Sequence, residues 1–447
     1  MGGASEDAAD EDPVGPPPQL ISLTIEGDGA PVTTWPEFSP DIYRYAVRAA
    51  DPQGGLVVTA EADADFELSV FGQAAESDKQ VSLSEVVPGS NLDVVVESSS
   101  GEKALYEIIY LPNDFPELVV TTLEPGASVD PIYLTLVPGN FLAKVDHHGV
   151  PLFYEQTEAT PLDFKRHADG IMSYAAAVTE QVLLNEDFEV VDRIKVVGHQ
   201  VTDHHDFAIL ENGNFVLIAG NTVTRDVTEY GGVADQELLD FIYQEITPNR
   251  EVVFEWNTWD RLKYEEAVAL AAAPRDYAHP NALDIDEDGD WLISLRHFSQ
   301  VLKIDRQSGD TVWRLGGLVG DFEFVDDPYN GFCAQHSARW SGEDRVILFD
   351  NGNPAYCFSQ RDETVTRAAE YELDEEQMTA TLIWSFEGPV ADSRGSVQRL
   401  SNGNTFIGWG SSLETLATEV DPAGNVVFEM SAAEQNALSY RALRYAD

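Results

Sequence analysis

The sequence predicts an all-β protein, a small β-sandwich followed by a six-bladed β-propeller. Three observations predict it. Short apolar–polar alternating runs, separated by Gly, Pro, Asp and Ser, fill residues 19–110 with no helical periodicity. From about residue 119 one four-strand pattern recurs along the chain. The extreme C-terminus resembles a strand that the first repeat lacks.

The chain opens MGGASEDAADEDPVGPPP, acidic and then proline-rich, which reads as a disordered tether over residues 1–18. The runs LISLTIE, YRYAVRA, LVVTAEA, FELSVFG, NLDVVVESS and ALYEIIYL follow. Several strands at close spacing indicate a sandwich over 19–112. The series resembles cadherin-like bacterial modules, which implies a spacer or docking domain. LPNDFPEL at 111–118 is the expected hinge.

Over 119–447, an apolar–turn–apolar element recurs six times: FLAKVDHHGVPLFYE, VLLNEDFEVVDRIKV, FIYQEITPNREVVFEW, VLKIDRQSGDTVWRL, YELDEEQMTATLIWSF and TEVDPAGNVVFEM. A strand–glycine tip–strand element recurs five times, as in FAILENGNFVLI and VQRLSNGNTFIGW. One of each makes four antiparallel strands, a propeller blade. The first blade has only three strands, and LSYRALRYAD at the C-terminus is expected to supply the fourth and close the ring, leaving no free sheet edge. TWDRLKYEEAVALAAA has helical periodicity and is expected as a helical insertion. Trp256, Trp313 and Trp384 end outer strands and read as packing residues.

Composition limits the partners. The chain has 447 residues, enough to bury a large core, and 43% of them are hydrophobic. Its 26 basic residues against 79 acidic ones give a formal charge of −53, which would repel nucleic-acid and lipid phosphates. An anionic substrate would need local cations. No apolar run is long enough to span a bilayer. The expected setting is an exported chain: periplasmic, secreted, or a surface lipoprotein whose tether led to a leader or lipid anchor. Cys333 and Cys357 lack CxxC spacing; they are either a disulfide, formed in an oxidising compartment and closing a loop beside His336, or two buried free thiols.

The histidines recur at one place in the pattern. His205, His279 and His336 each open the leading strand of a consecutive blade, so a propeller would bring them to one mouth of its channel. Asn281 is two residues from His279 and expected on the same face, and Arg296 ends the next strand. His204 is the alternative to His205, and His297 to Arg296. His147, His148 and His199 are expected to be solvated. His167 and the serines Ser393 and Ser396 are further candidates, Ser396 as a substrate-binding residue.

HDFAILENGN, the H-x-N of AHPN, SLRHFSQVLKIDRQSGDTVWRLGG, QHSAR with FDNGN, SRGSVQRLSNGNTFIGWG and the terminal SYRA together resemble the arylsulfotransferase (aryl sulfate sulfotransferase) superfamily, in its second branch. The resemblance covers about residues 119–447. It implies a six-bladed propeller that moves a sulfuryl group from a phenolic sulfate ester to a phenol without a nucleotide donor. It also implies that His336 is transiently sulfurylated, and that His205, His279, Asn281 and Arg296 bind sulfate oxygens and assist proton transfer. Ser337 stands where the family usually has an Asp-type residue, and Ala282 where Ser is common; both bear on substrate preference. The residue types suit the chemistry. Sulfuryl transfer should resemble phosphoryl transfer, with charge spread over equatorial oxygens. Neutral imidazole is a nucleophile at neutral pH, and guanidinium offers a planar fork of donors.

Other readings stay open. Three imidazoles and a water make a catalytic zinc site, as in a propeller hydrolase, although HExxH and fixed Cys/His spacing are absent. DIDEDGD at 284–290 mimics the start of an EF-hand, but Leu295 replaces its terminal Glu; no cofactor is expected beyond a structural Ca²⁺ at the acidic tips. GxxxxGK[ST], a strand-borne GxGxxG and GxSxG are all missing. A non-catalytic propeller binding an aromatic or sulfated anion is the remaining alternative.

Overall fold

A computed structural model describes residues 17–48, 55–84, 86–177, 179–268, 275–358, 361, 363–434 and 437–446. The expected tether lies almost wholly outside these residues. The chain divides into two compact units, Met1–Phe115 and Pro116–Asp447. Among the described residues no helix is long and apolar enough to cross a membrane.

In the first unit, period-two alternation becomes two sheets. One runs Ala30–Val32, Leu20–Gly27, Leu56–Ala62, Lys79–Leu83. The other runs Thr34–Trp35, Arg44–Arg48, Lys103–Leu111, Val94–Ser98, Phe66–Val70, Gln73–Ala75. Alternate residues of Leu56–Ala62 are buried, and they join Tyr45, Val94, Val96 and Tyr106 of the second sheet in a single apolar cluster. Arg44–Arg48 pairs in parallel with Lys103–Leu111, whereas the other strand pairs among the described residues of this unit are antiparallel.

Among the described residues the second unit is built of six sheets. Val201–Ile209, Phe215–Arg225, Gln236–Ile246 and Val252–Asn257 show the plan of one sheet: four consecutive strands, each antiparallel to the last. The tips reverse at glycines such as Gly213 and Gly289, whose φ of 80° and 86° lies in the left-handed region open to Gly at no steric cost. The C-terminal strand Ala442–Arg444 pairs with Ile132–Leu136 of the first sheet, completing it. Two additions were not expected. Leu118–Leu123 adds an outer strand to the last sheet, and Glu323–Val325 adds one in parallel to the fifth.

Apolar clusters hold neighbouring sheets together. Trp256 and Tyr243 of one pack with Trp291, Ile293 and Leu302 of the next, and Trp313 packs with Val346, Leu348 and Tyr371. Trp256 and Trp313 are each 1% exposed; removing roughly 200 Å² of ring surface from water is worth about 5 kcal/mol before entropy is counted. Trp384 is only partly buried against its cluster.

The expected helical insertion is short. Thr258–Arg261 forms one turn of helix, with the Asn257 side chain accepting from the amides of Trp259 and Asp260, and a 3₁₀ turn covers Tyr264–Glu266. Leu262, Tyr264 and Ala267 are drawn into the apolar cluster around Tyr277 and Phe298, so tertiary burial overrides the helical period. The alanine-rich end of that stretch, 269–274, lies outside the described residues.

Candidate active site

The first strands of successive sheets run alongside one another from Pro161–Arg166 to Ala442–Arg444, the Arg441–Asp163 ion pair joins the last to the first, and the candidate residues lie at or near their N-terminal ends. His279 directly precedes Pro280–Ile285, His336 opens His336–Gly342, Arg394 precedes Ser396–Arg399, and Tyr440 precedes Ala442–Arg444. His205 differs from expectation, being inside Val201–Ile209 rather than at its start. Thr202 pairs with Ala219 and Phe207 with Leu217, so residues 203–206 bulge out of the ladder. His279, Ser337 and Arg394 have φ of 49°, 52° and 63°, uncommon for residues with a Cβ. Such conformations cost of order 1–3 kcal/mol each and cluster at functional sites.

Five rings form a continuous series. Centroids are 4.2 Å apart for His204 and His205, 4.7 Å for His205 and His279, 4.6 Å for His279 and His297, and 4.9 Å for His297 and Tyr356. The Arg296 guanidinium lies 4.0 Å from the Tyr356 ring centroid, reaches His297 Nε2 at 2.8 Å and donates to the Asp392 carbonyl at 3.1 Å. Tyr356 adjoins Cys357, which is joined to Cys333 by a disulfide with Cα atoms 4.9 Å apart. Ser299 Oγ also donates to the Tyr356 carbonyl at 2.5 Å.

Two carboxylates sit behind two of the imidazoles. Asp203 Oδ1 meets His205 Nδ1 at 2.7 Å, and Asp276 Oδ2 meets His279 Nδ1 at 2.5 Å. Each carboxylate holds the proton on Nδ1 and leaves Nε2 to the other side of the ring. Their environments then diverge. Burial opposes protonation of His205, but the Asp203 charge and hydrogen bond outweigh it, so its pKa is raised. Burial dominates at His279, where Asp276 compensates only in part and the pKa falls. Burial with the neighbouring His205 takes His204 down to about 4, and burial with His279 takes His297 down to about 3.

His336 is 3% exposed. Asn351 Nδ2 donates to the carbonyls of Ala391 and Arg394, so its Oδ1 must accept, and His336 Nδ1 donates to it at 2.7 Å. This fixes the tautomer and leaves the lone pair on Nε2, which receives the Arg394 amide at 3.2 Å. Burial, then the Arg296 charge, hold its pKa well below the usual histidine value, against the Asn351 hydrogen bond.

The remaining candidates divide. Asn281 is fully buried; its Nδ2 donates to the Gln335 carbonyl at 2.6 Å, and its Oδ1 has no hydrogen-bond partner among the described residues. Ser396 is placed differently from expectation. Its hydroxyl donates to the Ala442 carbonyl at 2.8 Å and accepts from the Ala442 amide at 3.1 Å, so it closes the ring instead of facing a substrate. The Ser393 amide and carbonyl bond to Ser411. His167 is half-buried, its Nε2 2.8 Å from Ser173 Oγ, and His147 and His148 are half-buried, not solvated. His199 is held by Glu255 at 2.8 Å and by Asn221.

Among the described residues two groups could hold a metal: Asp203, His204 and His205, and Asp276, His279 and His297, each with donor atoms within 4.8 Å of one another. In the second, the Arg296 guanidinium already occupies His297 Nε2, and its charge opposes a dication there. At the EF-hand-like tip, Asp286 is spent on the amides of Asp288 and Asp290 and on Lys303 at 2.9 Å.

A family model described as arylsulfotransferase (ASST) matches residues 173–435. The chain belongs to this family. The arylsulfotransferase match covers all five imidazoles of the site, Arg296, Asn351 and Arg394. No curated protein matches the chain. Among solved structures, a protein of unknown function from Bacteroides caccae is 11% identical with a TM-score of 0.47, covering 70% of this chain and 98% of that one. A catalytically inactive virginiamycin B lyase from Staphylococcus aureus with quinupristin is 8% identical, TM-score 0.40, covering 74% and 100%. Kuenenia stuttgartiensis hydrazine synthase is 13% identical, TM-score 0.39, covering 69% and 77%.

Several residues of the candidate site escaped sequence reasoning. Asp203 and Asp276 are near in sequence to the histidines they orient, but acidic residues are so abundant here that none stands out. Asn351 lies in the FDNGN segment and Arg394 in SRGS, so a signal existed without a role attached to it. Tyr356 had none.

Proposed function

We propose that this arylsulfotransferase transfers a sulfuryl group from a phenolic sulfate ester to a phenol without a nucleotide donor, through a sulfohistidine on His336. The supporting observation is the Asn351–His336 hydrogen bond, which leaves a neutral, lone-pair-bearing Nε2 on the buried ring. In the first half-reaction the Nε2 lone pair attacks sulfur as the S–O(aryl) bond breaks. The bonding pair leaves on the phenoxide oxygen, and protonated His205 supplies the proton. The ring becomes an imidazolium carrying a sulfonate, its Nδ1–H charge facing Asn351 Oδ1. In the second half-reaction a phenol loses its proton to His205 and attacks sulfur, and the N–S bond returns its pair to Nε2. General acid–base assistance of this kind is typically worth about 10²–10⁴-fold.

Arg296 supplies a guanidinium for the sulfonate oxygens, which spread charge in a loose transition state. Asn281 suits a different role, since a free Oδ1 accepts and a sulfonate oxygen cannot donate; it suits the phenol O–H. The Arg394 amide must give up Nε2 as the N–S bond forms, at a cost of about 1 kcal/mol. The disulfide fits an exported protein, since such bonds persist in oxidising compartments.

The test is mass spectrometry of protein incubated with 4-nitrophenyl sulfate alone. A sulfuryl adduct on the peptide containing His336, discharged by added phenol and absent from His336→Ala, is the expected result. Acceptor-dependent turnover without an adduct would favour direct transfer, and binding without turnover would favour a receptor.

A further inference from the structure

Four of the leading strands break register beside the candidate site. The shifts fall between Leu162 and Lys165, Thr202 and Phe207, Pro280 and Ala282, and His336 and Arg339. A bulge leaves residues without ladder partners and turns their side chains to a new direction. Asp163, inside the first of these breaks, has a φ of 52°, in the left-handed region. The ladder by itself therefore does not fix how these stretches lie, and other contacts must.

A buried ion lattice supplies those contacts. Arg441 pairs with Asp163 and, at 3.2 Å, with Asp206, and it donates to the Asn281 carbonyl at 2.9 Å. Lys165 pairs with Asp163 at 2.7 Å and also with Asp206, and Arg339 pairs with Asp206 at 2.7 Å. Asp206 also accepts from the Leu283 amide at 2.9 Å. These ties join the leading strands of five sheets, with Arg441 immediately preceding Ala442–Arg444. Each tie lies close along the chain to a residue of the site. Asp206 follows His205, Asn281 is two residues after His279, and Arg339 is three after His336. Arg441 follows Tyr440, whose hydroxyl donates to the His205 carbonyl at 3.2 Å.

The three cations are matched by Asp163, Asp206 and, acting on Arg339, Asp284, so the lattice leaves no charge over for a ligand. Stability alone does not account for it either. The side chains of Arg441, Asp163 and Asp206 are at most 1% exposed, and apolar residues in place of such a cluster are often as stable or more so. What buried charges supply is one geometry, because an ion that moves off its partners in a dry interior is left unpaired. We infer that Asp206 and Arg441 are positioning residues that hold His205 against His279, at their 4.7 Å centroid separation, without touching substrate. This role rests on the sulfuryl-transfer reading, in which His205 gives its proton to the departing phenoxide. Misplacing such a group by about 1 Å can cost about 10²-fold in rate.

The test compares donor kcat/KM for phenyl sulfate and 4-nitrophenyl sulfate in the full chain, with crystal structures of the same proteins. Phenoxide is the stronger base and needs the proton, whereas nitrophenoxide leaves with little help. Arg441→Lys offers one nitrogen where the arginine fork places two. It should lower kcat/KM about tenfold for phenyl sulfate but only about twofold for 4-nitrophenyl sulfate, and widen the His205–His279 separation by about 0.5–1 Å. Arg444→Lys is the control: it disturbs another buried arginine of the same terminal segment, paired with Glu419 at 3.2 Å, and should leave the ratio of the two esters unchanged. Equal losses on both esters in Arg441→Lys, the same change of ratio in Arg444→Lys, or an unmoved ring separation would overturn the inference. Should Arg441→Lys fail to fold, Arg339→Gln decides, since that side chain is 23% exposed at the edge of the lattice; its ratio should change about threefold in the same direction. If the wild type turns over neither ester, sulfuryl transfer itself fails, and the ring separations still decide whether the lattice places the two imidazoles.

Discussion

Asn351 Oδ1 accepts the Nδ1 proton of His336 at 2.7 Å, while the same amide's Nδ2 holds the carbonyls of Ala391 and Arg394. One side chain therefore sets the tautomer of the proposed nucleophile and the path of the loop facing it. Asn351 acts through His336, as a positioning residue. Asn351→Ala should lower kcat about 10²-fold by freeing the tautomer, with KM for the donor little changed. Asn351→Asp should restore the ring's orientation but stabilise its protonated form, moving the acid limb of the kcat profile to higher pH. A pH profile of Asn351→Asp superimposable on wild type would remove the role.

The pH dependence follows from two opposite shifts. His336 is held well below the usual histidine value, so the neutral nucleophile is present at neutral pH and is lost only as pH falls far below 6.5. His205 is raised, so its acid form is present below 6.5 and is lost as pH rises through that raised value. Activity should form a bell whose alkaline limb belongs to His205. Asp203→Asn removes the charge that raises it and should move that limb to lower pH. An unmoved alkaline limb would mean that another group donates the proton.

Arg296 and Arg394 offer different guanidinia. Arg296 is 7% exposed and engaged with His297, Tyr356 and Asp392, whereas the half-buried side chain of Arg394 has no hydrogen bond or ion pair among the described residues. Arg394 also contributes to the low pKa of His204, which places its charge near the site. Arg394→Ala should raise the donor KM about tenfold with an unchanged unfolding midpoint. Arg296→Ala should lower kcat by about 10²-fold or more. Steady-state kinetics on both variants separates the two roles.

Metal removal discriminates the hydrolase reading. Turnover of an aryl sulfate should survive dialysis against a chelator. Loss of activity, recovered by adding back one divalent cation, would assign chemistry to the Asp203 or Asp276 group instead.

Ser396→Ala should act on stability, not on catalysis. It leaves the Ala442 amide and carbonyl without their buried partner, costing about 1–3 kcal/mol of unfolding free energy. A changed KM at unchanged stability would return Ser396 to the substrate site.

The sequence by itself determined what is local and periodic. Alternation with period two, glycine-bearing tips and the recurrence of a four-strand unit specify all-β structure, because each depends on neighbours a few residues away. The recurrence of His279 and His336 at the heads of leading strands was legible for the same reason. Only the tertiary structure decided what the ring brings together. The bulge at 203–206 that redirects His205, the pairing of His336 with Asn351 and the diversion of Ser396 to Ala442 depend on hydrogen bonds between distant segments. So does the sorting of cations. Arg441 meets Asp163 across most of the propeller's length of chain, and Arg394 meets no acid at all among the described residues. Burial then fixes which imidazoles hold protons, because desolvation and the nearest charge depend on where each side chain comes to rest, and no spacing in the chain encodes that.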